Sequence, residues 1–204
     1  MYENILYFCS MLTFSTHITT HKLIEIAEIS SGVYLQASPA GTIACLQVKD
    51  LLNDSPEATE YKVEYSKKLD RYLLQQGDIL FASKGYTYLC KVFDSDITAV
   101  ASTTLYSIRL QTENISPEYL CWYLNHPQIV SKIKSEQVGT GTPLIRKQII
   151  ENIEIPIPDK ATQKQIVELA KLQKREEELI HLINYKKNQI TNQLIMNKLN
   201  KYGK

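Results

Sequence analysis

The stretch from Thr162 to Leu199 limits the folds open to this chain more than any other. It holds neither Gly nor Pro, while Pro156 and Pro158 forbid helix just before it, so it predicts one uninterrupted helix. Thr162 and Gln165 fit a capping box, in which two side chains satisfy the first free N–H groups. At ~1.5 Å per residue the helix is roughly 55 Å long, about twice the width of a small domain. Such a helix must project from the body that precedes it.

Its apolar residues follow a broken heptad. With Ile166 at position a, the a positions are Ile166, Gln173, Ile180, Lys187 and Leu194, and the d positions Leu169, Glu176, Ile183, Ile190 and Asn197. Six of these ten are aliphatic, which suits a coiled-coil seam with polar interruptions. No second long helix is legible upstream to cover it. The seam (Ile166, Leu169, Glu176, Ile180, Ile183, Lys187, Ile190, Leu194) therefore points to pairing with another chain. The alternative is an amphipathic helix folded back on its own domain.

The chain's 204 residues suffice for one sizeable core plus an appendage. The net charge of +1 hides an uneven layout: from Lys160 to Lys204 ten Lys/Arg face four Glu. Cys9, Cys45, Cys90 and Cys121 lie far apart with no C-x-x-C pair, which argues against zinc and fits reduced thiols in the cytoplasm. Met1 to Thr16 lacks a basic leader region and reads as a strand or short helix rather than a signal peptide. No apolar run reaches membrane-spanning length. The thirteen tyrosines suit wet surfaces that stack or donate hydrogen bonds.

Upstream of the helix, strand and helix signals alternate irregularly. His21 to Ser31 suits a short helix or strand ending at Gly32, and Gly41 to Val48 a buried strand. Tyr61 to Leu74 reads as strand-like; Gln75 to Asp78 is a turn into an apolar strand, Ile79 to Ala82. Tyr88 to Phe93, Ile97 to Ala101 and Thr103 to Leu110 are further strands. Ser116-Pro117-Glu118 opens a helix with Ser as N-cap, Pro in the first turn and Glu beside the positive end of the dipole. Gln128 to Glu136 and Leu144 to Ile150 are short helices, and Asn152 to Ile157 is a last strand. The fold class is α+β: a globular body with irregular β-sheet, residues 1–158, followed by one long projecting coiled-coil helix, residues 159–204.

No active site is legible. The chain has no G-x-x-x-x-G-K-[ST], G-x-G-x-x-G or G-x-S-x-G. His17 and His21 could share a helix face but lack a third ligand, so no metal is expected. Asp50 or Asp54 followed by Glu60 and Lys62 faintly matches the D…E-x-K arrangement of metal-dependent nucleases. Gly139 to Thr142 could hold a phosphate on backbone N–H groups or be an ordinary turn. What remains is a binding surface. Lys62, Lys67, Lys68 and Arg71 cluster among Tyr61, Tyr65 and Tyr72; Lys84, Tyr86, Tyr88 and Lys91 cluster around Gly85; Arg146 and Lys147 follow the glycine loop. Basic residues interleaved with Tyr suit phosphate plus base-edge contacts on DNA, and otherwise are solvated surface.

The order of these pieces resembles the specificity subunit of type I restriction–modification systems. Leu23 to Gly32 (LIEIAEISSG) looks like the opening of a target recognition domain in that family, and Gly77 to Gly85 (GDILFASKG) like its core strand. Ile115 to Leu124 (ISPEYLCWYL) is similar to its helix; Val138 to Thr142, Ile153 to Pro158 and Gln163 to Ile166 are similar to its glycine loop, last strand and helix start. The resemblance covers about Leu23 to Leu199. It departs in having one recognition domain and one long helix where members usually carry two, and it leaves Met1 to His21 unassigned. It implies a non-catalytic subunit that chooses a double-stranded DNA sequence. A separate methyltransferase subunit then modifies adenine with S-adenosylmethionine, and a motor-nuclease subunit cuts. The expectation is thus a half-length, cytoplasmic specificity subunit without a cofactor of its own, paired with a second copy or another half-length subunit. The alternatives are a small nuclease using Asp54, Glu60 and Lys62, or a silent cassette that never assembles.

Overall fold

Two short runs, Ile43–Leu46 and Ile79–Ala82, have every side chain buried. Side chains of a strand alternate between faces, so both faces of each run must be covered. They form the centres of two sheets. The computed structural model describes residues 18–52, 59–85, 87–136 and 143–202. The chain divides into two compact units, Met1–Lys164 and Gln165–Lys204.

The first unit begins β1 (Thr19–Lys22), α1 (Leu23–Ile26), β2 (Ala27–Ser31), β3 (Ile43–Leu46), α2 (Val48–Leu52), β4 (Lys62–Val63), then a 3-10 helix (Lys67–Tyr72). It continues β5 (Ile79–Ala82), β6 (Cys90–Val92), β7 (Ala99–Ala101), β8 (Leu105–Leu110), α3 (Pro117–Asn125), α4 (Pro127–Ser135), α5 (Lys147–Glu151) and β9 (Glu154–Ile157). The long helix α6 spans Lys160–Tyr202. One sheet is antiparallel throughout, in the order β2-β8-β5-β6. The second runs β4-β3-β7, with β3 and β7 parallel, and β1 pairs with β9 in a third. Alternation splits the core in two: Ala44 and Leu46 pack with Leu80, Ala82, Phe93 and Leu105, while Ile43 and Cys45 pack with Val63, Leu69 and Val100. Each fully buried aliphatic side chain contributes about 1.5–3 kcal/mol relative to exposure. The architecture is the expected α+β body with irregular sheet and a long C-terminal helix.

The expected strand from Tyr61 to Leu74 is not one. Only Lys62–Val63 pairs with β3; the chain then turns into the 3-10 helix, which buries Leu69. His21 to Ser31 combines both expected forms, with α1 between β1 and β2. Ser116 caps α3 as read, its Oγ accepting from the Tyr119 N–H at 3.2 Å. Pro127 both closes α3 and opens α4, where its missing N–H costs nothing. The N-cap of α6 needs correction: it is Asp159, not Thr162. The Asp159 carboxylate accepts from the Thr162 N–H and from Thr162 Oγ, each at 2.9 Å. Thr162 and Gln163 are buried, so the first turn of α6 belongs to the first unit.

Gly32 and Gly77 fix the backbone where no other residue fits. A Cβ on Gly32 would stand 2.0 Å from the Ser102 carbonyl oxygen. Gly77 has φ +88°, the left-handed region, and turns the chain so that Asp78 enters the interior. The Asp78 carboxylate takes both Nε and Nη2 of Arg109, at 2.8 and 2.6 Å, plus the Gln75 N–H at 2.8 Å. The Arg109 pKa is raised, chiefly by this hydrogen-bonded pairing.

In the second unit the heptad positions Leu169, Ile180, Ile183, Ile190 and Leu194 are 45–64 % exposed, and Leu172, Leu179 and Leu182 are exposed beside them. Among the described residues no helix is long and apolar enough to cross a membrane.

Candidate nucleic-acid interface

The segment after β5 does not end at the sheet edge. Ser83 N–H donates to the Thr104 carbonyl at 2.9 Å, Ile145 N–H donates to the Ser83 carbonyl at 2.9 Å, and Gly85 N–H donates to Pro143 at 3.0 Å. Lys84 stands opposite Leu144 in this antiparallel bridge. Leu144 and Arg146 are two apart in extended backbone, so Lys84, Leu144 and Arg146 share one face. Lys84 and Arg146 are both exposed. Two cations 62 positions apart in the chain are thereby joined on one surface.

The other candidates divide. Tyr86 lies outside the described residues, as do Gly139 to Thr142, Met1 to His17, Cys9 and Asp54. Lys147 is exposed, but its Nζ is 3.3 Å from the Glu151 carboxylate, which offsets its charge. Tyr88 carries the ammonium of Lys134, 4.3 Å from its ring centroid, a cation–π contact that sequence reading missed. Lys91 turns away and reaches the Leu51 carbonyl at 3.4 Å. Lys62, Lys67 and Lys68 are exposed on β4 and the 3-10 helix, a different part of the body. Their tyrosine neighbours are held by local partners: Tyr61 donates to the Leu35 carbonyl at 2.6 Å, the exposed Tyr65 donates to Asp70 at 2.7 Å, and Arg71 lies over Tyr72.

Several of the thirteen tyrosines are braces rather than contact groups. Tyr119 donates to Pro156 at 2.7 Å, Tyr123 to Glu154 at 3.0 Å and Tyr106 to Ile145 at 2.9 Å, each tying a core element to a loop or strand carbonyl. Burial pushes the Tyr119 pKa up to about 12 and raises those of Tyr106 and Tyr123. Asn125 lends its amide to the backbone of Cys90, accepting at 2.8 Å and donating at 2.7 Å, and so pins α3 to the edge strand β6. Its spacing after Trp122 gives no sequence signal for this.

Burial, and secondarily Asp50, push the Cys45 thiol up to about 11, so it is a poor nucleophile. Asp50, one carboxylate of the nuclease alternative, accepts from the Gln47 N–H at 2.8 Å and caps α2. Among the described residues no three His, Cys, Asp or Glu side chains gather as a metal site. His21 instead faces Glu25 at 3.5 Å.

The family model for the type I restriction modification DNA specificity domain matches residues 17–192. The chain belongs to that family. As a specificity domain it is 25 % identical over 166 residues to the type I restriction enzyme MjaVIII specificity subunit of Methanocaldococcus jannaschii, covering 74 % of this chain and 38 % of the relative. The chain thus spans well under half the length of that relative. The fold is shared with an S subunit from M. genitalium: TM-score 0.55, 16 % identity, 85 % of this chain and 43 % of the other. It is also shared with the HsdS subunit of Thermoanaerobacter tengcongensis: TM-score 0.57, 20 % identity, 83 % and 40 %. In this family setting the GDILF segment has a physical role, since its Asp is the buried partner of Arg109.

Proposed function

We propose that this specificity domain recognises one half of a two-part DNA site and pairs through α6 with a second half-length subunit. The pair directs a separate methyltransferase subunit and a motor-nuclease subunit to that site. The observation that carries this reading is the family match, which runs from residue 17 through the globular body and along α6 to residue 192. Specificity subunits are generally non-catalytic, in keeping with a surface built for contact. Recognition is assigned to residues 1–158 and pairing to residues 159–204. The exposed aliphatic residues of α6 support pairing, because a seam of this kind left in water forgoes about 0.8 kcal/mol per unburied methylene. On this reading the chain needs no cofactor, S-adenosylmethionine belonging to the methyltransferase partner, and the assembly works in the cytoplasm on double-stranded DNA.

The test is to purify the chain with its methyltransferase subunit and map methylated adenines in total genomic DNA. A homodimer predicts a site of two inverted, identical halves; a heteromeric pair predicts two different halves. Methylation without a fixed motif overturns the reading, and so does magnesium-dependent cutting by the chain alone. A chain that never joins the complex is a silent product.

A further inference from the structure

One end of the body gathers side chains that the proposed function has not used. Gly32 lets its strand approach the turn between β7 and β8 at a distance no Cβ would allow. Val33 N–H then donates to Ala101 at 2.9 Å, and Ser102 N–H donates to the Leu46 carbonyl at 2.9 Å. Tyr34, Gln47 and Thr103, each one residue beyond these contacts, come to line one shallow cavity of about 180 Å³ floored by Val33 and Leu35. The Ser102 and Thr104 hydroxyls hydrogen-bond at 2.8 Å and hold the turn with Thr103 at its tip. Thr104 also accepts from Ser83, so the cavity adjoins the Lys84–Arg146 face.

These side chains are not committed to the fold. Tyr34 is 80 % exposed. Among the described residues, the side chains of Tyr34, Gln47 and Thr103 have no hydrogen-bonding partner. A carboxamide, a hydroxyl and a phenol over an apolar floor, beside two exposed cations, match the chemistry of a base pair's major-groove edge. The amide suits the adjacent acceptor and donor of adenine, the floor suits a thymine methyl, and the cations suit phosphate.

We infer that Tyr34, Gln47 and Thr103 read base edges in the major groove, while Lys84 and Arg146 hold the adjoining phosphates. The inference rests on the DNA-recognition reading above and adds to it which residues set the sequence.

The test uses the complex with its methyltransferase subunit and a pool of duplexes with a randomised centre, selected and sequenced. Tyr34→Ala, Gln47→Glu and Thr103→Ala should each change the enriched sequence at one position per half-site. Gln47→Glu is near-isosteric and should move preference from adenine towards cytosine by about tenfold. Lys84→Ala with Arg146→Ala should weaken binding and lower the salt slope by about 2 while enriching the parent's sequence. If the three groove variants enrich the parent's sequence, the assignment of base reading to them is overturned. If the parent itself enriches nothing, DNA recognition fails and this inference with it.

Discussion

The pair of Asp78 and Arg109 shows how a single residue can be plain in the sequence and its reason invisible there. Gly77-Asp78 reads as a turn, and the turn is real, but the partner is 31 residues away on β8. The Asp78 side chain is 2 % exposed and that of Arg109 39 %. Arg109→Leu should therefore leave a nearly buried carboxylate without its cation. A wholly buried pair broken on one side costs ~3–5 kcal/mol. Partial exposure of Arg109 lowers this to about 2 kcal/mol, to be read as a drop in urea midpoint at unchanged slope. A midpoint equal to the parent's would mean that water replaces the guanidinium. Gln163 was likewise legible only as part of a helix start. Its side chain accepts from Ser116 N–H at 2.9 Å and donates to the carbonyls of Asn114 and Pro158 at 2.8 and 2.7 Å, fastening the loop before α3 to the first turn of α6. Long-range polar partners of this kind leave no periodic trace, whereas the apolar runs of β3 and β5 do.

At the scale of elements, the best-read pieces were those whose signal is local. Ser116-Pro117 set the start of α3, and the absence of Gly and Pro set the continuity of α6. Tyr61 to Leu74 was misread because its aromatic and β-branched residues favour strand, while the stretch pairs only at its ends, Lys62–Val63 with β3 and Leu73 in a single bridge to Val100, with the 3-10 helix between. Heptad reading of α6 also missed Leu172 and Leu179, which flank the a and d positions and widen the exposed apolar face. The pairing register of α6 can still be argued. In an antiparallel coil, a positions meet d positions of the partner. With the twofold near His181, Ile180 meets Ile183 of the second copy, Leu169 meets Leu194, and Glu176 meets Lys187. A shift by one heptad would set Glu176 against Leu194 and Lys187 against Ile183, leaving both charges in the seam unpaired. Glu176→Lys alone, or Lys187→Glu alone, should cost about 1 kcal/mol at each of two symmetric pairs. The dimer would then be roughly 30-fold weaker. The double variant only exchanges the signs and should regain most of that loss in sedimentation equilibrium. A double variant no tighter than the weaker single one would exclude this register.

For the whole assembly, the proposed dimer makes α6 a ruler. The recognition unit runs without a break into the first turn of the helix, since Thr162 and Gln163 are buried in it. In the register above, the two units leave the coil at opposite ends. Inserting one heptad between Leu169 and Gln173 adds roughly 10 Å of helix to each copy. Because each insertion lies between its own recognition unit and the twofold, both units move outwards and the separation grows by about 20 Å. Seven residues preserve the seam, as they return a and d to the same face, so the dimer should survive. At about 3.4 Å per base pair, 20 Å is roughly six base pairs. Methylation mapping of the insertion variant should then find the same two half-sites with the gap between them about six base pairs longer. Six base pairs also turn the duplex through about half a helical repeat, so the two units must meet the groove from changed sides. If the coil is too stiff to follow that rotation, methylation is lost although the dimer persists, and a second heptad, giving about twelve base pairs, should bring it back. Methylation at the parent spacing by an intact insertion dimer would show that something other than α6 sets the distance.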